Sequence, residues 1–221
     1  MKRYEVTLTG LTPLLMHRDN IAFTEKVESW RKDPANKSLS AKGDDRSPAW
    51  TWIGYLYHNT KVLGLSSDNL MTMLREGGAK VASKGKATFK KQTQSGIMID
   101  GEQWPILIGD KPVSVEPFSA LIGNTDFTEH LDAAEKAGFE LLVKRARIGQ
   151  SKHIRVRPMF RQWSVVGTFT VLDEDLSGLT KDILQTIWTQ CGALVGLCDW
   201  RPSSGSSGSF GTFEYALRAI K

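Results

Sequence analysis

The residues of this sequence best suited to chemistry are positively charged and closely spaced. Seven Lys and Arg residues lie between positions 144 and 161 with no Asp or Glu among them. Arginine presents a planar fork of donors that matches a phosphate group, and lysine supplies a compact positive charge. This stretch therefore predicts contacts to a phosphate backbone. The seven residues are Lys144, Arg145, Arg147, Lys152, Arg155, Arg157 and Arg161.

A second stretch, from residue 84 to residue 91, also lacks acidic residues. Its four lysines are Lys84, Lys86, Lys90 and Lys91. The chain has 29 Lys and Arg against 24 Asp and Glu, so acidic residues outnumber basic ones outside these two stretches. Positive charge concentrated in this way is typical of a groove that binds a polyanion such as nucleic acid. A solvated basic surface without a ligand is the alternative for both stretches.

Catalytic chemistry has weaker support in the sequence. The four histidines are His17, His58, His130 and His153. His153 lies inside the first basic stretch, where a general acid or base could act on a phosphodiester, but no second catalytic residue stands at informative spacing. Cys191 and Cys198 lack the partners of a zinc site, and phosphate-loop and metalloprotease motifs are missing. We expect no catalytic residue, no cofactor and no metal; a purely structural protein is a further alternative.

A glycine- and serine-rich loop, residues 203–211, lies near the end of the sequence. Glycine leaves backbone N–H groups accessible, and consecutive N–H groups can bind a phosphate. Gly205 and Gly208 are therefore predicted to approach a phosphate backbone, with Arg201 adding a charged contact. A flexible connector between a helix and a strand is the alternative.

The elements that position these residues follow from the spacing of apolar side chains. Alternating patterns predict strands at residues 2–9, 97–99, 105–108, 163–171 and 212–218. Three-and-four spacing predicts helices at residues 23–31, 66–81, 128–136 and 179–195. The expected N-caps are Thr24 for the first of these helices and Ser66 or Ser67 for the second. The first basic stretch falls on a predicted hairpin with arms 139–148 and 153–160.

Both ends of the chain resemble the RAMP superfamily of CRISPR-associated RNA-binding proteins. Residues 4–17, YEVTLTGLTPLLMH, are similar to the first strand and turn of the backbone subunits of CRISPR effectors and of related phage-encoded proteins. The helix at residues 66–81 and the C-terminal helix, glycine-rich loop and strand extend the resemblance. It implies an α+β fold with a ferredoxin-like (RRM-like) βαββαβ core. Removing two predicted insertions, at about residues 32–48 and 84–139, leaves that order of elements.

For function, the resemblance implies a non-catalytic protein that binds single-stranded nucleic acid. RNA, as in a guide strand, is favoured over DNA, and copies are expected to assemble head to tail in a helical row, alongside other effector subunits. A phage single-stranded DNA-binding protein of the same fold and a RAMP-type endoribonuclease are the alternatives. The residues themselves do not separate RNA from DNA.

Length and hydropathy set the remaining expectations. The 221 residues are interpreted as one domain, and no apolar run reaches the roughly 20 residues that span a bilayer. A cytoplasmic protein without membrane contact is expected. Residues 32–48 are polar and are predicted to form a mobile loop. The aromatic residues Trp50, Trp52, Tyr55 and Tyr57 belong either to the core or to a platform for unpaired bases.

Overall fold

The computed structural model describes residues 1–205 and 208–221. The strands are β1 (Lys2–Gly10), β2 (Leu14–Leu15), β3 (Gly64–Ser66), β4 (Ile97–Ile99), β5 (Gln103–Ile108), β6 (Lys111–Pro112), β7 (Glu140–Ile148), β8 (Ser151–Phe160), β9 (Ser164–Val171) and β10 (Phe213–Ile220). The helices are α1 (Ile21–Lys32), α2 (Ser67–Gly78), α3 (Lys90–Gly96), α4 (Glu116–Ser119), α5 (Phe127–Lys136), α6 (Glu174–Ser177) and α7 (Lys181–Gln190). The described part of the chain is therefore a mixed α+β protein, as predicted.

The larger sheet is antiparallel and has the order β10–β1–β9–β5–β3, with β4 also paired to β9 and β6 to β5. The alternation that predicted β1 is the alternation of its two faces, because successive side chains of a strand point to opposite sides. Tyr4, Val6 and Leu8 lie on the inner face and are at most 2% exposed. The predictions of β1, β9 and β10 are thus confirmed, and the predicted ends of these strands agree with the structure to within two residues.

Helices α2 and α7 cover the inner face of this sheet. Ser66 caps α2 by accepting a hydrogen bond from the backbone N–H of Asn69, as predicted. The helix ends at Gly78, three residues before its predicted end. A β-carbon at Gly77 would collide with the sulfur of Cys191 just after α7, and one at Gly78 would collide with Thr93 of α3, so the two glycines let α2 pack closely on both neighbours. A π-helical turn follows α7, and Gly196 ends it with a φ of 72°.

The smaller sheet has the order β2–β8–β7 and contains the predicted basic hairpin. Its inner side packs on a cluster of aromatic rings. Trp52 contacts Phe118 and Phe139 edge to face, with 5.5 and 5.9 Å between ring centroids. Phe139 stacks on Phe160 with 4.7 Å between ring centroids. Trp50 and Trp52 are at most 2% exposed. The base-stacking alternative is therefore wrong for these two tryptophans, which are core residues.

Two further local predictions are wrong. Helix α1 begins at Ile21 and is capped by Asn20, whose side chain accepts from the N–H of Phe23; Thr24 lies inside the helix. The mobile loop predicted at residues 32–48 is instead bound to β8. The N–H of Asp45 donates to Ile154 O at 3.0 Å, and the N–H of Ile154 donates to the carbonyl of Gly43 at 2.9 Å.

The second predicted insertion, residues 84–139, is only partly separate from the larger sheet. It contributes β4 and β5, which pair with β9, and also α3, α4 and α5. Within the described residues, no helix has the length and apolar character needed to cross a membrane.

Candidate nucleic-acid interface

The register of the β7–β8 hairpin sorts the basic residues onto two faces. Cross-strand partners share a face. Lys144 lies opposite Arg155, and Arg147 lies opposite Lys152. Arg145 lies opposite Ile154 on the same face as Arg147. The first basic stretch is therefore a two-sided ribbon with cations on both faces, and its two arms are joined at residues 149–150.

The guanidinium groups near the base of the hairpin are already paired. Arg155 Nη1 lies 2.9 Å from Asp45 Oδ1, and Arg157 Nη1 lies 3.2 Å from Asp45 Oδ2. Arg157 Nε also lies 3.3 Å from Asp199 Oδ2, and Arg157 is 7% exposed. Arg157 therefore does not belong to an open row for phosphates, because its buried guanidinium is held by two carboxylates. Arg155, whose side chain is 26% exposed and uses only Nη1 on Asp45, remains a prediction as a phosphate contact.

Arg161, beyond the end of β8, is exposed but not free. Its Nε lies 2.5 Å from Glu140 Oε1 at the start of β7, and Nη2 makes a second bond at 3.0 Å. An exposed pair of this kind contributes little to stability and can exchange partners. Arg161 thus remains a prediction as a phosphate contact, at the opposite end of the hairpin from the turn.

The remaining four cations, here called the distal strip, are Lys144 on one face of the ribbon and Arg145, Arg147 and Lys152 on the other. All four are exposed. Within the described part of the chain, none of them forms an ion pair; Arg147 Nε donates to the carbonyl of Gly149 at 3.2 Å. Like charges placed directly across two strands repel each other, as Arg147 and Lys152 are placed. A bound polyanion would relieve that repulsion.

Trp200 connects the distal strip to the glycine-rich loop. Lys144 Nζ lies 4.6 Å from the centre of the Trp200 ring, within range of a cation–π contact. On the other side of the loop, Ser203 lines an open surface groove of about 530 Å³ together with Arg75, Lys80 and Lys90. The loop therefore lies between the hairpin and one lysine of the second basic stretch.

The four lysines of the second basic stretch are exposed. Lys84 and Lys86 lie in a turn closed by a bridge between Ala82 and Thr88, and Lys90 and Lys91 begin α3. Lys90 alone among these four lines the groove beside the loop. The structure thus brings part of this stretch toward the loop, and no contact joins Lys84 or Lys86 to the hairpin among the described residues.

Arg201 and Gly208 have structural roles that the sequence did not indicate. Arg201 Nη2 lies 3.0 Å from Glu76 Oε1 of α2, and Nη1 donates to the carbonyl of Cys198 at 3.1 Å. A β-carbon at Gly208 would collide with the carbonyl oxygen of Trp200, whereas one at Gly205 would meet nothing within 4 Å. The need for glycine at position 208 is explained by packing inside the protein. Ser206 and Ser207, in the predicted contact loop, lie outside the described residues.

A polar cluster beneath the hairpin was not predicted. Asp199 lies between Arg157 and His17, whose Nδ1 is 3.6 Å from Asp199 Oδ2. The residues on either side of Asp199 have left-handed backbones, with φ of 62° at Cys198 and 49° at Trp200. This conformation is uncommon outside glycine and is retained where the surrounding structure fixes it. The two carboxylate partners of Arg157, Asp45 and Asp199, come from separate loops. No local pattern in the sequence therefore predicts the cluster.

Burial and charge determine the protonation of this cluster. Partial desolvation lowers the pKa of His17, whose side chain is 41% exposed, and the neighbouring Arg157 lowers it further, against the attraction of Asp199. Burial also raises the pKa of Tyr55, whose ring lies 4.6 Å from the Arg157 guanidinium. Asp45, Asp199 and Arg157 therefore form a charged network in which His17 is neutral near pH 7.

His130 and His153 both pack against other residues of the protein. His130 is fully buried, accepts a hydrogen bond from Trp52 Nε1 at 3.1 Å and lies 3.0 Å from the carbonyl of Asn124, so both ring nitrogens are used. Burial lowers the pKa of His130. His153 packs against Gly43 inside the hairpin junction.

The sequence matches no protein-family model and no curated protein.

Proposed function

We propose that this protein is a RAMP-like, non-catalytic binder of single-stranded nucleic acid with a ferredoxin-like core. The fold part of the proposal is supported by the sheet order, in which β1 lies between β9 and β10 and β4 lies beyond β9. Helix α2 precedes β4 and helix α7 precedes β10. The six elements β1, α2, β4, β9, α7 and β10 then follow the split βαββαβ pattern.

The binding part rests on one observation: the distal strip is exposed and has no acidic partner among the described residues. The other three cations of the hairpin, Arg155, Arg157 and Arg161, each pair with a carboxylate. The lack of such a partner therefore distinguishes the distal strip. Exposed Lys and Arg on a projecting ribbon supply the sequence-independent part of nucleic-acid binding.

The proposed path of the strand runs from the distal strip past Trp200 and the glycine-rich loop to Lys90. It is supported by the contact between Lys144 and Trp200 and by the groove that Ser203 shares with Lys90. A single strand with unstacked bases suits such a path, because exposed rings and cations bind bases and phosphates without reading a duplex. RNA is favoured over DNA by the resemblance to CRISPR effector backbones, and a phage DNA-binding protein of this fold remains the alternative.

Copies are proposed to assemble in a head-to-tail row along the strand. A heterologous interface repeats without closing and so produces an open row. Mass photometry on strands of graded length should show the mass of the complex rising in steps of one 24.6 kDa chain. A closed dimer whose mass ignores the strand would contradict the row.

The test of binding is a fourfold alanine variant of the distal strip, measured by fluorescence anisotropy on single- and double-stranded 20-mers. A control variant removes four other exposed lysines, none of which belongs to the hairpin. The control positions are Lys111, Lys136, Lys181 and Lys221. We expect the unmodified protein and the control to bind single strands and to leave them intact, and the distal-strip variant to lose most of its affinity. Equal affinity of the two variants would place the binding surface elsewhere.

A further inference from the structure

A small pocket lies behind the hairpin, beside the buried charged network. Its volume is about 150 Å³, and helix α1, the turn at residues 51–55 and strand β8 form its walls. Pockets for drug-sized ligands are about 300–1,000 Å³, so this one has room for a single planar ring system. The lining residues are Arg18, Asn20, Phe23, Thr24, Val27, Glu28, Arg31, Asp45, Thr51, Gly54, Tyr55 and Arg155.

The pocket offers donors that the protein leaves unused. Arg18 is half-buried, and within the described residues its side chain makes no hydrogen bond or ion pair. Arg155 uses only Nη1, on Asp45, and its side chain is 26% exposed. Arg31 is committed to the carbonyls of residues 44 and 47 and to Glu28. Two guanidinium groups are therefore available to a ligand.

The pocket also contains acceptors and rings, which decides what kind of ligand fits. Glu28 lies at the wall with a side chain 48% exposed and shares only one oxygen with Arg31. Phe23 and Tyr55 supply aromatic surface. A bare phosphate is disfavoured by the carboxylates of Glu28 and Asp45. Mixed donors and acceptors beside aromatic rings are what the edge and face of an unstacked nucleobase require.

The position of the pocket links it to the distal strip. Arg155 lines the pocket and lies directly opposite Lys144 in the hairpin register. Facing side chains of paired strands have β-carbons about 5 Å apart. Lys144 is therefore the cation of the distal strip that lies opposite a residue of the pocket wall, and a strand bound at Lys144 would pass the β-strand that forms this wall.

From this geometry we infer that the pocket formed by Arg18, Phe23, Glu28, Tyr55 and Arg155 binds one unstacked nucleobase of the bound strand. The inference rests on the proposed function and extends it, because it adds a base preference at one position to contacts that are otherwise blind to sequence. Burial of one base beside aromatic and charged groups should change affinity by about tenfold between the best and the worst base.

The test uses 12-mer homopolymers of the four ribonucleotides and an Arg18→Met, Glu28→Gln double variant. The control is Lys32→Met, Glu25→Gln, which makes the same charge changes on exposed positions of α1 outside the pocket. We expect the unmodified protein and the control to prefer one homopolymer by about tenfold, and the double variant to bind all four within about twofold.

The outcomes separate this inference from the proposed function. Four homopolymers bound equally by the unmodified protein, or a base preference retained in the double variant, would overturn the pocket while leaving backbone binding in place. Absence of binding to every homopolymer would overturn both. Because the pocket does not supply the phosphate contacts, the salt dependence of binding should be the same in the double variant and its control.

Discussion

Substitution of Asp45 by asparagine should destabilise the protein far more than the same substitution at the neighbouring Asp44. Asp45 is 2% exposed and accepts from Arg155, from Arg157 and from the N–H of Val156, at 2.9–3.2 Å. Among the described residues, loss of this charge leaves the buried Arg157 with Asp199 as its one remaining carboxylate. Removing one partner of a buried ion pair costs about 3–5 kcal/mol, and the asparagine oxygen recovers part of one bond, so we expect about 3 kcal/mol.

Urea unfolding followed by tryptophan fluorescence measures this difference. With a slope of about 3 kcal/mol per molar urea for a chain of this size, the Asp45→Asn midpoint should fall by about 1 M. Asp44 pairs with Arg46, which is 43% exposed, and such pairs contribute about 0–1 kcal/mol. The Asp44→Asn midpoint should therefore fall by less than about 0.3 M. Equal midpoints for the two variants would refute the buried network beneath the hairpin.

Two further predictions concern the loop and the histidine beside it. Gly208→Ala should lower the free energy of unfolding by about 1–3 kcal/mol, because its β-carbon meets the Trp200 carbonyl, whereas Gly205→Ala should change it by less than about 1 kcal/mol; equal effects in thermal unfolding would contradict the packing at Gly208. The pKa of His17 in the folded protein is lowered from 6.5, so His17 binds a proton more readily in the unfolded chain than in the folded protein. The contribution of His17 to stability is then complete above about pH 6.5 and is lost as the pH falls toward its folded pKa. His17→Gln should flatten the loss of stability between pH 7.5 and 5, and an unchanged pH profile by urea titration would count against the lowered pKa of this partly exposed ring.

The strands and helices were largely predictable because their signals are local. Alternation in β1 and β9 and the cap at Ser66 depend on residues within a few positions of one another. Likewise the glycine pair of α2 was expected to end the helix or to permit close packing, and it does both. Such features can be predicted without knowledge of the tertiary structure.

The charge state of the candidate site was not predictable in the same way. The basic stretch contains no acidic residue of its own, but Asp45 reaches Arg157 from 112 residues away and Asp199 reaches it from 42. A carboxylate in a polar segment predicted to be mobile gave no sign that it would be 2% exposed. Sequence counting therefore overestimated the number of free cations in the hairpin. Which cations of the hairpin form ion pairs and which belong to the unpaired distal strip depends on tertiary contacts alone.

The central claim is that the distal strip binds the phosphates of a single strand. The most direct measurement is the slope of log K against log salt concentration for the unmodified protein and for the fourfold alanine variant of Lys144, Arg145, Arg147 and Lys152. Each phosphate contact on a single strand contributes about 0.7 to that slope, so the variant should lose about 2.8. A slope unchanged in a variant that still unfolds cooperatively would contradict the account.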